Sequence, residues 1–196
     1  MKQEKFPPTR EIETALIKVS KIFRRWGPTN QDWVVVDEIA YFLQGYEVMG
    51  KEMQTRHLDI YVDTEKLPWH PSVERSIIPP PNSRFFEKYT EFMKDSGFGL
   101  DMLKKAPGIF EQPVVLYKLK NGNEVQLMEV GAMTRQFWEK TLMHYSLEDV
   151  GEEKVREWLD KLKLIRTAAI KRENRILADD CSRMIVEAQK RWSHIL

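Results

Sequence analysis

The apolar positions of this chain change period along its length, and each change marks an element. Ile12, Leu16, Val19, Ile22 and Phe23 recur at helical spacing. Thr9 stands as the N-cap of that helix, with Glu11 and Glu13 in its first turn. Arg24-Arg25 close its last turn and Gly27-Pro28 stop it. Trp33 to Val36 is dense in β-branched residues and predicts a short strand. Residues 38–44 predict a helix ending at Gly45, and 46–55 a loop carrying Gly50. From His57 to Val62 the pattern alternates, with Leu58, Ile60 and Val62 on one side and His57, Asp59 and Tyr61 on the other. Five prolines make residues 64–82 a loop. Ser83 to Asp95 predicts a helix with Phe85, Phe86, Tyr89, Phe92 and Met93 on its apolar face, broken by Gly97 and Gly99. Residues 113–120 and 123–130 predict a β-hairpin around Asn121-Gly122. From Thr134 onward the pattern is helical: one helix to about Ser146, a second from Leu147 or Glu152 to about Arg172, and a third to near the end.

This order predicts an α/β (α+β) fold, a small mixed sheet covered by helices with a helical C-terminal region. The expected division is a core over 1–132 and a helical region over 133–196 packed on it. A chain of 196 residues buries such a core without disulfides or a structural metal. Cys181 is the single cysteine, which excludes an intrachain disulfide. The formal charge of +1 argues against a dedicated polyanion binder. No apolar run reaches membrane-spanning length, and the leader MKQEKFPPTR lacks the apolar centre of a signal peptide, so the expected location is the cytoplasm. On the C-terminal helices, Lys161, Lys163, Arg166, Lys171, Arg172 and Arg175 interleave with Glu152, Glu153, Glu157, Asp160 and Glu173. That mixture reads as a solvated surface laced with ion pairs.

Two segments carry the candidate chemistry, VVVDEIAYFLQGY from Val34 and HLDIYVD from His57. Together they resemble the nucleotidyltransferase superfamily, in particular its minimal, AbiEii-like members. Val34-Val35-Val36 resembles the family's first strand. Ile39 to Gly45 resembles the following helix and its glycine stop. Thr55 to Val62 resembles the Asp-x-Asp strand with its lead-in. The resemblance implies a metal-dependent transfer site, but three positions depart from it. Asp37-Glu38 replace Gly-Gly at the phosphate turn, and His57 replaces the first Asp. Gln126 stands at the third carboxylate, unless a two-residue shift places Glu124 there.

Nucleotidyl transfer uses divalent metals held by two or three carboxylates. Asp59 is the retained catalytic acid, and Glu124 is the candidate that would restore a second one. At the phosphate turn, Asp37 and Glu38 set anionic side chains beside an anionic ligand, with Arg56 as the nearby cation. Two unit charges about 4 Å apart at an effective dielectric near 20 interact by roughly 4 kcal/mol. That outweighs the roughly 0.3–1 kcal/mol a helix N-terminus contributes. Acidic residues at a helix start also need no functional reason, since they are stabilising there. His57 and Asp59 share a strand face and, with Asp37, make a weak candidate metal set. Imidazole with carboxylate favours zinc or manganese, whereas carboxylates alone favour magnesium. The bland alternative is a polar patch with a hydrogen-bonded histidine.

The resemblance therefore implies a catalytically degenerate nucleotidyltransferase-like protein acting in binding or regulation, in a toxin–antitoxin or phage-defence setting. One alternative is an active transferase with a rearranged metal site that moves a nucleotide onto RNA, protein or a small molecule. Another is a metal-binding module built on His57 and Asp59. The partners these readings imply are a nucleotide, RNA or a partner protein, with no membrane.

Overall fold

A computed structural model describes residues 6–46, 48, 56–67, 69, 77–104 and 111–193. The long amphipathic run forms α1, Thr9–Trp26. Pro8 rather than Thr9 takes its N-cap position, and no side chain caps the first turn. The Pro8 carbonyl accepts instead from the backbone N–H groups of Glu11 and Ile12. Gly27 ends the helix at φ 127°, where an added Cβ would stand 2.5 Å from the Lys66 carbonyl oxygen. Both the backbone angle and the close approach demand glycine there.

The described residues form five strands: β1 Trp33–Val36, β2 His57–Val62, β3 Gly99–Lys104, β4 Val114–Lys118 and β5 Glu124–Met128. They form one mixed sheet in the order β3-β2-β1-β5-β4. β2 runs antiparallel to β1 and parallel to β3, while β1 and β5 are parallel and β4 and β5 make the hairpin. The α+β class is as the sequence predicts. β3 was not expected: it occupies residues where the glycine-broken helix end left no element.

Leu58, Ile60 and Val62 of β2 are fully buried with Trp33 and Met102 on one face of the sheet. That face packs on α1 and on α3, Arg84–Ser96. Phe23 of α1 lies 5.6 Å from Trp33 and 5.9 Å from Phe85, ring centre to ring centre. Ser83 caps α3, its hydroxyl accepting from Phe86 N. Asn30 ties the layers together, accepting from Ser20 Oγ and donating to the Glu124 carbonyl, each at 2.7 Å. α2, Asp37–Leu43, leaves β1 without an intervening loop and packs on β1 and β2.

The chain divides into two units, residues 1–43 with 54–129, and residues 44–53 with 130–196. The sheet and α1–α3 form the first. The second holds α4 Val130–Lys140, α5 Leu147–Lys171 and α6 Arg175–Arg191. The two expected starts of the fifth helix have one cause, a non-helical Gly151 at φ 74° inside the Leu147–Lys171 span. Leu142, Val155, Leu159, Leu162, Met184, Ala188 and Trp192 make this unit's core, and Trp192 Nε1 donates to the Leu142 carbonyl at 3.1 Å. Gln44 and Tyr46 belong to the same unit, bonded to Val130 N and to Asn174. Most of the loop expected over 46–55 lies outside the described residues.

Ile60 is the test of the core, since it sits at 0% exposure in a strand with neighbours on both sides. Ile60→Ala is expected to cost about 2–5 kcal/mol. Urea denaturation should show a lower midpoint with an unchanged slope. A loss below about 1 kcal/mol would contradict this placement.

Candidate metal centre

The buried face of β2 dictates where its polar residues go. With Leu58, Ile60 and Val62 against α1 and α3, His57 and Asp59 must project from the opposite face. The parallel register sets Asp101 directly beside Asp59 and Gly99 beside His57. One side-chain oxygen or nitrogen from each of His57, Asp59 and Asp101 lies within 4.8 Å of the others.

The imidazole lies between the two carboxylates. Its Nδ1 is 3.4 Å from Asp59 Oδ1 and its Nε2 is 3.7 Å from Asp101 Oδ2. Gly99 makes this position possible, because a Cβ there would stand 2.1 Å from His57 Cδ2. Tyr89 of α3 donates to the Leu100 carbonyl at 2.8 Å, holding β3 in place next to Asp101. Hydrogen bonding to Asp59 raises the His57 pKa above its usual 6.5. Partial burial opposes that rise, while the charges of Asp59, Asp101 and Glu38 add to it. Glu38 thus acts on the site through its charge. Asp37 follows Val36, the residue paired with Asp59, and holds φ 56° at the strand-to-helix elbow. Glycine adopts that angle freely, and Asp is among the few side chains that tolerate it.

Other expected residues lie elsewhere. Asp37 is not part of the three-residue donor set, whose third member is Asp101. Arg56 has the buried-face parity of β2. It pairs with Glu11 of α1 at 2.8 Å and lies over the Phe98 ring, so it is not the site's cation. Glu124 is separated from Asp59. Val34 pairs with Gln126, which sets Glu124 level with Asp32, whereas Asp59 is level with Val36. The offset is about 13 Å along the strands and two strands across. Gln126 shares the Asp59 face but is level with Val34, and the β5 residue level with Asp59 is the buried Met128. Neither Glu124 nor Gln126 of β5 is level with Asp59, whereas Asp101 of β3 is. The signal for Asp101 was present as Leu100-Asp101-Met102, a polar residue between two that are buried. Cys181 is buried, and burial pushes its thiol up to about 12, which excludes a nucleophilic role.

The donor set suits a cation. A neutral imidazole and two carboxylates match zinc or manganese chemistry, and ligand atoms on one tetrahedral ion stand about 3.4 Å apart, close to the spacings here. In the protonated state His57 itself supplies the positive charge between the acids. The fold and site together define a class: a mixed-sheet α+β protein with a His/Asp/Asp donor set on adjacent strands. No protein-family model matches the chain, and no curated protein or solved structure matches it.

Gly99→Ala should push the His57 ring off its seat between Asp59 and Asp101. The imidazole pKa followed by NMR is expected to fall toward 6.5, and an unchanged titration would contradict the packing. The same histidine sets a pH dependence. Its folded pKa lies above 6.5, so the imidazolium contributes stability below pH 6.5 that disappears as pH rises through the folded value. In chelator-treated protein, the thermal midpoint of the wild type relative to His57→Gln should decline across that window. A flat difference would refute the interaction.

Proposed function

We propose that this chain is a nucleotidyltransferase-like protein whose standard two-metal centre has become a single-cation site of His57, Asp59 and Asp101, and that it acts by binding or regulation. The observation that carries this reading is the convergence of three donor groups from two adjacent strands. A histidine occupies the position where the resemblance places the first Asp. A set with two carboxylates and one imidazole is better matched to one borderline cation than to a magnesium pair. The elbow beside it carries Asp37 and Glu38, whose charges oppose a triphosphate approaching along the usual route. When bound, a divalent cation would supply local positive charge able to take a phosphate or carboxylate oxygen. The chain's own residues do the rest. Asp59 and Asp101 hold the donor geometry, Gly99 seats the imidazole, and Glu38 adds negative charge that retains a cation. The regulatory setting in this proposal is the toxin–antitoxin or defence pair that the resemblance implies.

A second reading is a working transferase with a rearranged site, moving a nucleotide onto RNA, protein or a small molecule. One observation favours it: Asp59 and Asp101 stand in register, so a carboxylate pair is present after all.

Calorimetry should show one manganese or zinc ion per chain, with affinity at least about tenfold weaker in Asp101→Asn and in Asp59→Asn. Affinity should also rise with pH, because the ion displaces a proton from His57. No heat at millimolar manganese or zinc would sink the cation site. Labelled nucleoside triphosphates then separate the two readings. Transfer that survives repurification and vanishes in Asp59→Asn would replace the binding role with catalysis.

A further inference from the structure

The two edges of the sheet are treated differently. Along β3 there is a further main-chain partner: Ile77 N donates to the Met102 carbonyl at 2.7 Å. Along β4 there is one strand neighbour, β5, among the described residues. Leu119 N donates to the Asn123 carbonyl and Glu129 N to the Pro113 carbonyl. With the hairpin register these bonds turn the main-chain groups of residues 113, 115, 117 and 119 toward β5. The N–H and C=O groups of Val114, Leu116 and Lys118 therefore turn to the outer side. Pro113, which would normally blunt an edge, faces inward and blunts nothing. The strand is also apolar where it is exposed: Val114 and Val115 are each 39% accessible and Leu116 is 60%.

We propose that β4 is a pairing edge for a second copy of this chain, two β4 strands meeting antiparallel about a two-fold axis at Leu116. This inference is independent of the cation site. The strand is complementary to itself in that arrangement and in no parallel one. Glu111 precedes β4, while Lys118 and Lys120 end it. Antiparallel pairing brings each acidic end toward the other copy's basic end, and parallel pairing stacks like on like. On the axis, Leu116 meets Leu116 of the second copy. Val115 lies opposite Tyr117, a β-branched residue against an aromatic one, and Val114 lies under the Lys118 stem. Five paired residues and their side chains bury on the order of 1,000 Å², at the small end of specific interfaces, so the dimer should be concentration-dependent. Closing it as a two-fold pair also removes the exposed edge from further addition.

Sedimentation velocity on the full chain, from low to high micromolar concentration, should show monomer passing to dimer. Leu116→Lys sets two cations against each other on the axis and should weaken association by more than about tenfold while the circular dichroism is retained. If that variant does not fold, Leu116→Thr removes the apolar contact more gently and should weaken it in the same direction. Hydrogen exchange supplies the position-specific signature. The amides of Val114, Leu116 and Lys118 should gain protection at high concentration, while those of Val115 and Tyr117 are protected throughout. A wild type that stays monomeric overturns the proposal. So does a dimer indifferent to Leu116→Lys and Leu116→Thr, or one whose new protection falls outside the outward-facing amides.

Discussion

The arrangement of β2 between β1 and β3 governs everything this molecule offers chemically. One face of that strand is committed to α1 and α3 through Leu58, Ile60 and Val62, each without exposed surface. Period-two geometry then leaves His57 and Asp59 no choice of side. The parallel register with β3 adds Asp101 at the level of Asp59, so two carboxylates stand side by side on neighbouring strands. Like charges in that relation destabilise a sheet unless a cation lies between them. The imidazole seated over Gly99 is such a cation when protonated. A protonated imidazole at that point offsets the two carboxylates.

In the proposed cation site a proton on His57 and a bound metal would compete for the same two carboxylates. Asp59 and His57 are about four-fifths shielded from solvent, whereas Asp101 is 52% exposed. The partly shielded pair sets the field, and the exposed acid has room to reorient toward an ion. The elbow after β1 reinforces the bias. Asp37 holds a left-handed angle that glycine would adopt more easily, and Glu38 adds negative charge felt at His57. Negative charge at this turn disfavours anions and favours cations nearby.

Much of this was legible in the sequence because the relevant patterns are local. The alternation from His57 to Val62, the β-branched run before Asp37 and the Asn121-Gly122 turn each depend on a few adjacent residues. β3 was hidden because it begins one residue past the left-handed Gly97 cap, starts on a glycine and, among its described side chains, buries Leu100 and Met102 alone. The place of Asp101 beside Asp59 is hidden for a different reason. The hairpin is readable from its turn, but which strand it adds to is a long-range choice that no local pattern encodes. β5 joins the far side of β1, and that single pairing sends Glu124 away from Asp59, while β3 sets Asp101 beside it. Thr9 failed as a cap because Pro8, with its fixed φ, already occupies the entry to α1.

The same strand order separates the charged site from the apolar edge. β2 and β4 stand three strands apart, about 14 Å at ordinary strand spacing. On the edge beside the site, β3, the Met102 carbonyl is already held by Ile77 N, so an added strand would have to displace that bond. The opposite edge, β4, carries outward main-chain groups and exposed valine and leucine. Pairing across β4 would extend the sheet at the end remote from His57, Asp59 and Asp101. Strand order thus keeps the proposed pairing edge and the proposed cation site on separate parts of the sheet. A charge introduced at Leu116 then probes association alone, and one removed at Asp101 probes the cation alone.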